Sequence, residues 1–164
     1  MHTILLEEGY PLARRETYLA MIKNSVGSRQ YQELYVVTPQ GLVDVIGNGD
    51  LACAYYVSSL LTLFGFLKGG VHTTVDETVQ DLVQSAWKRT QELEEGAILV
   101  WESRLCSDNK PHRHIGFCVG SDFAISNSAE TGTPELHHIT FGTKEDGCPE
   151  RNITSIYIHS KLWT

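Results

Sequence analysis

Gly47-Asn48-Gly49-Asp50-Leu51-Ala52-Cys53-Ala54-Tyr55-Tyr56-Val57 reads as a turn that opens a helix, with a cysteine in its first turn. Asp50 suits the N-cap position, where its carboxylate would accept a bond from an orphan backbone N–H. A thiol held there feels the positive end of the helix dipole, which favours the thiolate. Further along, His114-Ile115-Gly116-Phe117-Cys118-Val119-Gly120 reads as a strand that carries a histidine and ends in a turn. An imidazole is the second device that activates a cysteine, as a base for its proton. The two segments are the halves of a cysteine nucleophile site. An arbitrary cysteine is more often a small buried hydrophobe. The glycine-rich turn before Cys53 and the histidine strand after it argue for chemistry instead.

The chain has 164 residues, 41% hydrophobic and 20% charged, an ordinary globular composition with enough apolar mass for a core. One domain spanning residues 1–164 is expected. A net charge of −7 argues against a nucleic-acid binder working through phosphate contacts. The longest apolar run, residues 57–67, is interrupted by Ser58, Ser59, Thr62 and Gly65, so no membrane span is expected. The first eight residues lack a basic start, a long apolar run and a cleavage site. A cytoplasmic location or release by another route is therefore expected, and the compartment stays open between them. The four cysteines, Cys53, Cys106, Cys118 and Cys148, are expected as free thiols.

Hydrophobic spacing predicts a helix over residues 11–25 and a hairpin over 34–46, with its turn at Thr38-Pro39-Gln40-Gly41. The cysteine helix should run over 50–66 and a second helix over 75–89. Thr74 and Glu77 supply a capping-box pattern at the start of the second. Strands are expected at 97–101, 112–119, 123–128, 137–141 and 153–159. Loops are expected at 103–111, 131–135 and 142–152. Helices first and an antiparallel meander second make an α+β arrangement.

Side chains alternate along a strand. His112, His114, Gly116 and Cys118 share one face of the histidine strand, and Ala124, Ser126 and Ser128 share one face of the next. This face is nearly all small residues, and the cysteine helix is expected to pack there, bringing Cys53 toward His114. A third group usually fixes the imidazole. A regular hairpin register puts Ser126 on the face of His114. The amide of Asn127 is the better acceptor for an imidazole N–H, and a bulge near Ser126 would turn it to that face.

The order of these segments — glycine-rich turn, helix-start cysteine, Glu95-Gly96-Ala97-Ile98-Leu99-Val100 strand, then the His114–Gly120 strand — resembles the NlpC-type and CHAP-type cysteine peptidases and amidases. The likeness covers residues 47–128, about half of the chain. It implies a papain-like catalytic core over 47–164, preceded by an extra helix and hairpin over 1–46. It also implies Cys53 as nucleophile, His114 as general base, and a third polar residue at Ser126, with Asn127 kept as the alternative. Asp50 and Cys53 would mark the helix start that holds the oxyanion. The implied substrate is a peptide or a peptidoglycan fragment, with no cofactor and no metal. Two departures stand out. Ala52-Cys53-Ala54-Tyr55 replaces the common Asp-Cys-Ser-Gly, and serine stands where the third residue is often histidine.

Other readings carry less. Cys106, His112, His114 and Cys118 fit no ordinary zinc spacing. His137 and His138 are adjacent and would point to opposite faces of a strand, so a solvent or loop role is expected for both. No Gly-x-Ser-x-Gly elbow points to a serine hydrolase. A catalytically silent relative that binds a wall peptide or a protein, and a thiol acyltransferase, are the alternatives to a hydrolase. The oligomeric state is left open by the sequence.

Overall fold

Ile98, Leu99, Val100 and Trp101 are all fully buried, because each face of their strand is covered. A computed structural model describes residues 10–105 and 109–162, and this strand lies inside its main sheet. In chain order the elements are α1 (Arg14–Asn24), β1 (Tyr35–Thr38), β2 (Gly41–Asp44), α2 (Cys53–Leu63) and α3 (Val75–Gln84). β3 (Lys88–Thr90), β4 (Ile98–Leu105), β5 (Pro111–Cys118), β6 (Phe123–Asn127), β7 (Pro134–His138) and β8 (Ile153–Ile158) follow. β1 and β2 form a hairpin, and the other six make one antiparallel sheet in the order β3-β8-β4-β5-β6-β7. The fold is α+β. Among the described residues no helix is long and apolar enough to cross a membrane. The reading of the first eight residues, and the thiol of Cys106, lie outside the described residues.

The helices cover one face of the sheet. Tyr18, Leu19 and Ile22 of α1 and Tyr56, Val57, Leu60 and Leu61 of α2 bury against Val100, Ile115, Phe117 and Ile125. Tyr56 meets Phe117 edge-on at 5.3 Å between ring centroids, the geometry that aromatic quadrupoles favour. The opposite face carries Leu99, Trp101, Cys118 and Ala124, packed with Ile139 and Ile156. The expected packing of α2 is therefore corrected: it lies on the face of Ile115, Phe117 and Ile125, not on the small-residue face of His114 and Ser126, so helix packing does not bring Cys53 to His114 as expected. Burial decides this, since its large side chains remove far more apolar area from water against Phe117 and the two isoleucines. The small residues instead make room for Trp101 and for residues 137–141.

Element boundaries also shift. α2 begins at Cys53, with Ala52 at the N-cap position and no side-chain cap, so Asp50 is not its cap. Asp44 takes over the turn. Its Oδ1 accepts from the amides of Leu34 and Ile46, at 3.0 and 3.2 Å, and its Oδ2 accepts from Asn48 at 2.7 Å. α3 does show its capping box, with the Glu77 amide donating to Thr74 Oγ1 at 3.2 Å. It stops at Gln84 because Ala86 takes a left-handed φ of 69° and buried Trp87 bonds its indole N–H to the Phe66 carbonyl. Residues 88–90 then join β8 as a strand. β4 runs on to Leu105 past a bulge between Trp101 and Arg104, so residues 103–105 are strand, not loop. β7 takes up Pro134 and Glu135, read as loop, and ends before Ile139, because its backbone pairs with β6 from Asn127 back to Phe123.

Candidate functional site

The turn before Cys53 is seated by backbone contact. Gly49, with φ 93°, lies so close to Gly132 that a Cβ on Gly49 would fall 2.5 Å from the Gly132 carbonyl oxygen. Gly132 approaches Asn48 in the same way. Asn127, buried at the end of β6, donates its Nδ2 to the Gly49 carbonyl at 2.6 Å. The turn thus rests on the β6–β7 loop, and α2 leaves it with Cys53 as its first residue, partly exposed. The first intrahelical bond runs from the Tyr56 amide to the Ala52 carbonyl at 2.8 Å, so backbone N–H groups precede it at the end where Cys53 sits.

Cys53 lines an open groove of about 830 Å³. His114, Ser126, Asn127, Asp50 and His137 line it too. β5 places His114 beside Trp101 of β4, its Cα partner, with ring centroids 5.5 Å apart. Phe141 closes the other side at 5.7 Å. The β5–β6 register is regular: Gly116 faces Ser126 and Cys118 faces Ala124. No bulge intervenes, so Ser126 shares the face of His114, and its Oγ lies 2.8 Å from His114 Nε2. Gly116 makes this possible, because a Cβ there would fall 2.7 Å from the Ser126 Cβ. Asn127 points into the helix layer, where it holds Gly49. The two candidates for a third residue therefore do different things. Asn127→Ala should lower stability by about 1–3 kcal/mol, the usual cost of losing a buried bonded amide. Ser126→Ala should cost less, about 0.5–1.5 kcal/mol, and alter the ionisation of His114. Melting curves and an NMR titration of both variants check this split; equal melting losses would overturn it.

Burial, with the charges of Arg151 and His137, pushes the His114 imidazole down to about 3. It is neutral at neutral pH and can accept a proton. In the unfolded chain a histidine binds its proton near pH 6.5. Between about 6.5 and about 3 the unfolded state thus holds more protons at this position, and stability falls as the pH drops through that window. His137 and His159 are lowered in the same direction, burial being the first cause for each. Wild type should lose more melting temperature on acidification than His114→Gln. Parallel pH curves for the two proteins would remove His114 from this role.

Sequence reading missed three contributors. Asp44 organises the turn, although its place after a strand and before Gly47 was a signal. Arg151 clamps the bulge from below, its Nε and Nη2 donating to the Glu102 carbonyl at 2.9 and 2.8 Å. His137, expected in solvent or loop, stands 2.7 Å from Ser126 Oγ through Nε2, while His138 is exposed and bonds Thr140. Asp50 lines the groove without capping the helix. Cys53, Cys118 and Cys148 carry thiols rather than disulfides, and Cys118 donates to the Gly120 carbonyl at 3.1 Å. Among the described residues no group of three or more His, Cys, Asp or Glu is placed to hold a metal ion. No family model and no curated protein matches this chain.

Proposed function

We propose that this protein is a thiol hydrolase with a papain-like core, in which Cys53 is the nucleophile and His114 the general base. The observation that carries the reading is the groove itself. A partly exposed helix-start thiol and an imidazole whose Nε2 is engaged by Ser126 line the same groove. Nδ1 is then the nitrogen for the thiol proton. In the reaction, Cys53 S–H gives its proton to Nδ1 and the sulfur attacks an amide carbonyl. Backbone N–H groups at the start of α2 stabilise the oxyanion. The imidazolium returns the proton to the leaving amine, and water then releases the acyl group from sulfur.

An amide within a bacterial cell-wall peptide is the proposed substrate. That choice rests on the sequence resemblance. The test is competitive labelling with iodoacetamide at several pH values, followed by hydrolysis assays on synthetic stem peptides. Cys53 should react fastest, exposed Cys148 at the rate of a free thiol, and buried Cys118 only on unfolding. An inert Cys53 beside a reactive Cys148 overturns the nucleophile assignment.

A further inference from the structure

Ser126 alone is a poor orienter, because a hydroxyl both donates and accepts and its proton turns freely. Here β7 supplies what it lacks. Ala124 pairs with His137 and Ser126 with Glu135, so His137 lies one pair along on the same face. The alanine opposite leaves space for the ring, which stacks on Phe141 at 4.0 Å between centroids. Its Nε2 is 2.7 Å from Ser126 Oγ, and its Nδ1 is 2.8 Å from the His138 carbonyl. We propose that His137 is a positioning residue for His114, setting through Ser126 which ring nitrogen of His114 carries the proton. This rests on the reading of His114 as the base.

The direction of the relay is fixed at one end. A carbonyl only accepts, so Nδ1 of His137 holds a proton and donates it. In neutral His137 the lone pair on Nε2 accepts the Ser126 O–H. The Ser126 oxygen then accepts from Nε2–H of His114, and Nδ1 of His114 is left basic. Adding a proton from solvent to His137 reverses the chain. Both of its nitrogens now donate, Ser126 turns its own proton toward His114 Nε2, and neutral His114 must carry its one proton on Nδ1. That proton moves between the two nitrogens by exchange with solvent. The nitrogen that takes the thiol proton is then blocked, although His114 has gained no charge.

The groups facing His137 set where this happens. Glu135 and His138 approach from β7, Arg151 from residues 139–152, and His114 from β5 across Ser126. Trp101 of β4 and Phe141 form the apolar walls. Burial lowers the proton affinity of His137, and the charges of His138 and Arg151 add to it, against the bond to the His138 carbonyl and the charge of Glu135. His114 itself stays neutral far below the range where histidines usually titrate.

Long-range nitrogen–proton NMR on the full chain, labelled at histidine, reads both tautomers directly from about pH 8 down through the pH at which the nitrogen shifts of His137 report its protonation. His114 should be Nε2–H at the upper end and shift to Nδ1–H as His137 gains its proton. His137→Gln keeps a carbonyl acceptor that does not titrate, so His114 should stay Nε2–H across the range. His137→Phe should mix the tautomers and slow Cys53 alkylation on the order of tenfold, about one neutral hydrogen bond. If His137→Phe does not fold, the glutamine variant still decides. A His114 tautomer indifferent to pH and to both substitutions overturns the relay. Coupled tautomers with an inert Cys53 would instead overturn the hydrolase reading and leave the relay standing.

Discussion

His114→Ala should fold like the wild type and lose amide hydrolysis by a factor on the order of 10²–10⁴, the usual contribution of a general base. The fold should survive, at some cost in packing on Trp101 and Phe141, because the β5 backbone stays paired to β4 and β6. Cys53→Ala should abolish turnover outright, since no other described cysteine lines the groove. The two variants therefore differ in residual rate. Turnover on a cell-wall stem peptide, measured beside melting curves, separates them. A folded His114→Ala protein with full turnover would move the base elsewhere, and His112 in the same groove is the next candidate.

Gly49→Ala should cost the most stability of any single methyl added to this chain. The φ of 93° alone strains an alanine by about 1–3 kcal/mol. The new Cβ would also fall 2.5 and 2.6 Å from Gly132 backbone atoms, which cannot swing aside like a side-chain end. The turn must lift off the β6–β7 loop, taking the Asn127 bond and the position of Cys53 with it. Gly27→Ala is the matched control: its φ of 74° is also left-handed, but a Cβ there meets nothing within 4 Å. Each 1 kcal/mol moves melting by about 2–4 °C at this chain size. Gly49→Ala should thus melt well below Gly27→Ala, and its Cys53 should alkylate at a changed rate. Equal melting losses would mean that the Gly49–Gly132 contact carries no weight.

Local patterns made much of this legible. The Thr74 capping box, the β1–β2 hairpin and the β5–β6 hairpin were readable because their signals lie within a few residues of one another. Strand alternation put Ser126 on the face of His114, where the regular register keeps it, but the packing expected to bring Cys53 to that face was not made. The cap expected at Asp50 is not made, because α2 begins only at Cys53, with Ala52 at the N-cap position, and Asp44 organises the turn earlier, at the Ile46 and Asn48 amides.

What the sequence determined by itself is the α+β class, the helix-start thiol and the parity of the histidine strand, since each depends on near neighbours and on the fixed periods of helix and strand. Tertiary structure decided the rest. It chose the face on which α2 packs, because that choice compares buried areas across residues far apart in the chain. It seated the Cys53 turn through a contact between Gly49 and Gly132. It also brought His137 to Ser126, through a β6–β7 register that no stretch of β7 encodes alone.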